Sequence, residues 1–158
     1  MDRPSIYLET SVVSYLAADP SRDPATLHRQ RITAAWWAQR ERFALHSSWV
    51  TVREAFRGER AQAARRVRLI ATLPLLAETP ATQPLTIALA VALSLPARAR
   101  DDAAHVALAA VYGLDYLVTW DQKHITSPRA RAVIDRICRS RGLNPPLPCS
   151  PELLIRLR

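Results

Sequence analysis

Glycine is scarce, with 3 in 158 residues, and aromatic side chains make up only 6%. All-β folds turn often and draw on both, so a turn-rich β architecture is disfavoured, and no glycine-rich loop is present to cradle a phosphate. Cysteine is nearly absent. Cys138 and Cys149 form neither a C-x-x-C pair nor a disulfide framework, and they lack zinc spacing with the scattered histidines, which fits a reducing cytoplasm. Long apolar runs are missing too. The longest, Leu85 to Leu95, is interrupted by Thr86 and Ser94 and is too short to span a bilayer. The opening residues Met1 to Ser5 carry no signal-peptide pattern. These absences lead to the expectation of a soluble cytoplasmic protein without a membrane partner. No G-x-S-x-G or Walker motif points to a serine hydrolase or a nucleotide phosphatase.

What is present is a chain that is 49% hydrophobic and 23% charged, enough for a single domain over residues 1–158 with a real core. Its formal charge is +8. Such a field favours a polyanion, nucleic acid first and an acidic protein second. Lys123 is the only lysine among 22 Lys plus Arg. An Ala- and Arg-rich composition also follows from a GC-rich genome, so the charge by itself decides nothing.

Short apolar segments alternate with helical patterns. Ile6 to Leu8 reads as a strand, followed by Thr10 and Ser11 as caps and a helical turn or two over Val12 to Leu16. A polar loop, Asp19 to Pro24, leads into a helix from Ala25 to Arg42 with Ile32, Trp36 and Trp37 on one side. Phe43 to His46 is a second strand, and Ser47 and Ser48 cap a helix carrying Val50, Val52, Glu54 and Phe56, which Gly58 stops. Further helices are expected over Glu59 to Thr72, Gln83 to Leu95, Ala103 to Tyr112 (closed by Gly113) and Pro128 to Arg141. Leu73 to Leu76 is short and apolar, Asp115 to Trp120 is a strand, and Asn144 to Pro151 is a Pro-rich tail. Strands alternating with helices indicate an α/β fold with a mostly parallel sheet.

In such folds ligands gather at the carboxyl ends of the strands. Glu9 ends the first strand and Asp121 follows the last one, while Asp101 and Asp102 open a helix and Glu54 sits inside one. Converging carboxylates repel unless arginines or a divalent metal offset them. Each also has a structural reading. Asp101 and Asp102 are ordinary first-turn charges, Glu54 can pair with Arg53 or Arg57, and Asp121 can start a turn. His105 reads as a packed, hydrogen-bonded helix residue. His124 lies near Asp121, where contact with a phosphate and plain surface exposure are equally good readings. Trp120 defaults to core packing, and the Arg65, Arg66 and Arg68 cluster is either an RNA-tracking or a solvated face.

Four segments occur in order: Tyr7-Leu8-Glu9-Thr10-Ser11-Val12-Val13-Ser14-Tyr15-Leu16, Arg53-Glu54-Ala55, Asp101-Asp102-Ala103-Ala104-His105, and Tyr116-Leu117-Val118-Thr119-Trp120-Asp121-Gln122-Lys123-His124-Ile125. Together they resemble the PIN-domain nucleases, specifically the VapC-like toxins of bacterial type II toxin–antitoxin modules, over nearly the whole chain. The resemblance implies a three-layer α/β/α sandwich and a metal-dependent endoribonuclease. Glu9, Glu54, Asp102 and Asp121 would be its catalytic acids, with Glu9, Asp102 and Asp121 binding Mg²⁺ or Mn²⁺. Thr10, Ser11 and Thr119 would orient the carboxylates or a water, with Asp101 in support. The family's first acid is most often Asp, whereas here it is Glu9, whose extra methylene carries the carboxylate outward by roughly 1.5 Å. Asp101 and Asp102 could exchange roles; the family's third acid directly precedes an Ala and lies three residues before a His, which favours Asp102. The resemblance also implies an RNA substrate, a homodimer and a cognate antitoxin burying an amphipathic segment along the early helices. The rival from another class is a non-catalytic PIN-fold binder of RNA or protein. A DNA-binding helical regulator leaves the strand-ending acids without a purpose.

Overall fold

The first strand, β1 (Ser5–Leu8), has Ile6, Tyr7 and Leu8 fully buried, as expected of a strand covered on both faces. Removing each of these side chains from water contributes roughly 2 kcal/mol. The computed structural model describes residues 2–157. After β1 come α1 (Thr10–Ala17), α2 (Pro24–Trp37), β2 (Ala44–Ser48), α3 (Trp49–Ala55), α4 (Arg60–Ile70), β3 (Leu75–Leu76), α5 (Thr82–Ala92), α6 (Arg100–Val111), β4 (Tyr116–Val118), α7 (Pro128–Ser140), β5 (Leu147–Cys149) and α8 (Pro151–Ile155). The sheet order is β3-β2-β1-β4-β5, and every pairing is parallel.

Successive residues of a strand face opposite ways, and here they feed two cores. Tyr7 and Leu117 pack with Leu85, Leu89, Val106, Leu108 and Ile134 of α5, α6 and α7. Ile6, Leu8 and Val118 pack on the other side with Val12, Trp36, Ile70 and Leu154 of α1, α2, α4 and α8. The result is a three-layer α/β/α sandwich. Helix α6 is buried along its whole middle, Ala103 to Ala110. That suits a helix wedged between sheet and α5, and it fixes the position of the acids at its first turn.

The expected elements are present with shifted ends. Helix α2 stops at Trp37, and a separate 3₁₀ turn covers Arg40–Arg42. Ser47 and Ser48 both close β2, and of the two only Ser48 caps α3, accepting a hydrogen bond from the Thr51 amide. The segment read as a Pro-rich tail is instead a fifth strand and a closing helix. Leu147 donates its amide to Asp115, and Cys149 accepts from the Thr119 amide at 2.9 Å each. Pro148 falls between them on an edge strand, where its missing N–H faces away from the ladder at no cost.

Candidate functional site

The sheet order places β1 beside both β2 and β4, so the connections diverge in opposite directions from its carboxyl end. In open parallel sheets this is where a crevice opens. Glu9 follows β1 directly, and Thr119, Trp120 and Asp121 follow β4.

Glu9 is buried and caps α1, accepting from the Ser11 amide at 3.0 and 3.1 Å. Its Oε2 also accepts from the Ser11 hydroxyl at 2.5 Å and the Thr119 hydroxyl at 2.6 Å. Those two hydroxyls in turn accept from the Trp120 and Asp121 amides at 2.9 Å. Ser11 and Thr119 thus sew the end of β1 to the end of β4 and hold the carboxylate in place.

Asp102, Asp121 and His124 lie closest to one another, each offering one ligand atom with all three atoms within 4.8 Å. His124 donates its amide to Asp121 Oδ1 at 2.8 Å, and its Nδ1 lies 2.8 Å from Asp102 Oδ2 and 3.5 Å from Asp121 Oδ2. Burial, then the neighbouring Asp121 carboxyl, then Glu9 push the Asp102 pKa up to about 8. Two carboxylates that cannot both ionise comfortably are a donor set that a divalent cation relieves. Their hard oxygens fit Mg²⁺ or Mn²⁺, whereas the imidazole suits softer ions, so the carboxylates are the part that fits. Glu9 stands beside this trio, close enough to act on Asp102, with its own oxygens already held.

Asp101 faces elsewhere. Its carboxylate meets Arg53 at 2.9 Å and Arg57 at 3.4 Å, exposed pairs worth well under ~1 kcal/mol. Glu54 is likewise outside the trio. Its Oε1 accepts from the Thr10 hydroxyl at 2.8 Å and pairs with His105 Nε2. The His105 Nδ1 meets the Tyr7 hydroxyl at 2.6 Å, which reaches Ser48 Oγ at 2.6 Å. Burial disfavours a charge on His105, but Tyr7, Glu54 and Glu9 outweigh it and hold its pKa well above the ordinary value. Burial also pushes Glu54 up, and here His105 and Thr10 win, leaving its pKa lowered. Both shifts favour the charged forms, which would draw opposite charges together between α3 and α6.

The remaining residues singled out from the sequence take structural places. Trp120 is buried and donates its indole N–H to Thr33 at 2.9 Å, away from the trio. Arg65 pairs with Asp19, and Arg66 binds the carbonyls of Ala55 and Arg57. His124 is the one member of the trio whose place sequence reasoning left open, although its position three residues after Asp121, in the loop leaving β4, was a usable signal. No protein-family model matches the chain, and no curated protein matches it either.

Proposed function

We propose that this chain is a metal-dependent endoribonuclease of the PIN-domain, VapC-like kind, hydrolysing RNA phosphodiester bonds. The observation that carries the reading is the convergence of Asp102 and Asp121 where β1 and β4 end, with Glu9 fixed beside them. Asp102 and Asp121 would hold Mg²⁺ or Mn²⁺. Such an ion lowers the pKa of a water, polarises the scissile phosphate and offsets charge on the leaving oxygen.

The chain's own groups prepare the site. Ser11 and Thr119 restrain Glu9 so that its charge stays next to Asp102. His124 bridges the two aspartates and keeps both carboxylates turned inward. The Glu54–His105 pair, fastened by Thr10 and Tyr7, anchors α3 to α6 and so fixes the first turn that carries Asp102. Two surface features support the expected partners. A groove of about 340 Å³ between α1 and α2, lined by Tyr15, Leu16, Leu27 and Ala34, suits an amphipathic antitoxin segment. Trp49 on α3, Phe56 just after it, and Ile87 and Val91 on α5 are exposed apolar side chains that a second copy would cover.

The test is incubation of the protein with a pool of structured and single-stranded RNAs in Mg²⁺, Mn²⁺ or EDTA, beside an Asp102→Asn, Asp121→Asn double variant. Cleavage should need metal and vanish in the variant. RNA binding without cleavage in every lane would instead identify a non-catalytic RNA-binding module.

A further inference from the structure

Most arginines of this chain that lie near acids are paired with them: Arg53 and Arg57 with Asp101, Arg65 with Asp19, Arg139 with Asp135, and Arg156 with Glu152. Three cations beside the Asp102, Asp121 and His124 trio are different. Arg98 sits in the 3₁₀ turn after α5, Lys123 in the loop after β4, and Arg129 in the first turn of α7. These three segments, distant in sequence, converge on one cavity of about 290 Å³. Among the described residues, none of the three side chains has an ion pair or a side-chain hydrogen bond. Ser127, also at the cavity, spends its hydroxyl on the Ala130 amide at 3.1 Å. His124 belongs to both places: its Nδ1 faces Asp102, and the same residue lines the cavity.

We infer that this cavity takes a backbone phosphate of the RNA next to the one held at Asp102 and Asp121. The inference rests on the nuclease reading and names its substrate subsite. Like charges gathered around a concavity without an acid attract an anion, and low-dielectric walls focus that field. The cavity is one side chain away from the trio, so a strand crossing the trio continues into it. Acids on one side and bases on the other divide the work. The carboxylates would take the cation, and the Arg98, Lys123 and Arg129 pocket the adjoining phosphate, which no cation then needs to neutralise.

The experiment measures binding of a single-stranded RNA 10-mer in EDTA from 50 to 200 mM salt. It compares the wild type with an Arg98→Gln, Lys123→Gln, Arg129→Gln variant. A control with equal charge loss carries Arg60→Gln, Arg65→Gln and Arg68→Gln on α4. Each phosphate contact contributes about 0.7 to the slope of log affinity against log salt on a single strand. With one or two phosphates in the cavity, the slope should flatten by about 0.7 to 1.4. The cavity variant would then lose about 3- to 7-fold less affinity over that range than the wild type, while the control follows the wild type. Equal slopes in all three proteins, or equal flattening in both variants, would overturn the subsite. Loss of binding to an Asp/Glu-rich peptide with the RNA slope unchanged would assign the cavity to a protein partner and overturn it as well. Metal-dependent cleavage by the wild type is scored separately. If it is intact with unchanged slopes, only the subsite fails; if it is absent with a flattened slope, only the nuclease reading fails.

Discussion

Asp101 and Asp102 differ by one position and by about 100° around α6, which is enough to give them different partners. Asp101 turns to Arg53 and Arg57, Asp102 to Asp121 and His124. The sequence gives the adjacency and the helix start, but not which way the helix is rotated against the sheet. Asp102 then has a testable consequence. Its carboxyl is held up to about 8 against an ordinary 3.8, so the folded chain keeps a proton that the unfolded chain releases. Stability of the metal-free protein therefore falls as pH rises from about 4 towards 8, and Asp102→Asn removes that loss. In EDTA at pH 8 this variant should melt several degrees above the wild type, on the order of 1–2 kcal/mol, and the gap should close near pH 4. Thermal melts at the two pH values decide it, and a gap that ignores pH contradicts the shift. Glu54 carries the opposite expectation. Sequence reasoning paired it, as a structural alternative, with Arg53 or Arg57, whereas its partner is the fully buried His105 on another helix. A pairing across 51 residues leaves no local mark. Glu54→Ala leaves that imidazole without its carboxylate and should cost about 2–3 kcal/mol in urea denaturation, with Glu54→Gln costing less. Unchanged stability in Glu54→Ala would deny the buried pair.

At the scale of elements, periodicity and caps made β1, α3, α4, α6 and α7 legible, because each announces itself with an apolar run, a capping Ser or Glu, or a closing Gly. Strand β5 was not legible. Its three residues include Pro148, and only the sheet edge makes a proline harmless there. The helix ends offer a further comparison. Helices α5, α6 and α7 close alike: the amides of Leu95, Leu114 and Leu143 each reach back five residues, and those of Ser94, Gly113 and Gly142 reach back three. This is the Schellman arrangement, which wants a left-handed residue at its turn. Gly113 (φ 69°) and Gly142 (φ 71°) supply it freely, but after α5 the residue is Ser94 at φ 53°. Its Cβ is strained there by roughly 1 kcal/mol. Ser94→Gly should raise the unfolding free energy by about that amount, read from the denaturation midpoint, and a loss of stability would show that the serine is favoured for another reason.

For the whole molecule, no described helix is long and apolar enough to cross a membrane, as the interrupted Leu85 to Leu95 run suggested. The α/β class with a mostly parallel sheet was readable because strand and helix patterns alternate, whereas the three layers were implied only by the resemblance. The place of His124 was not readable: Asp102 and Asp121 were expected together from the resemblance alone, and the histidine joins them only because the loop leaving β4 folds back against the first turn of α6. The two thiols report on the integrity of the whole. Burial pushes Cys138 up to about 11 and Cys149 up to about 12, so at pH 8 neither has a meaningful thiolate fraction. Both should react with a thiol reagent only as fast as the chain unfolds and become fully reactive in denaturant. Fast reaction of Cys149 alone would mean that β5 is loose and that this end of the chain is not part of the sandwich. The central claim is that Asp102 and Asp121, and not Asp101, form a divalent-metal site. A calorimetric Mn²⁺ titration of the wild type, Asp101→Asn, Asp102→Asn and Asp121→Asn tests it most directly. Binding should persist in Asp101→Asn and fall 10- to 100-fold or more in the other two. Equal Mn²⁺ affinity in all four proteins, or a loss confined to Asp101→Asn, would contradict the account.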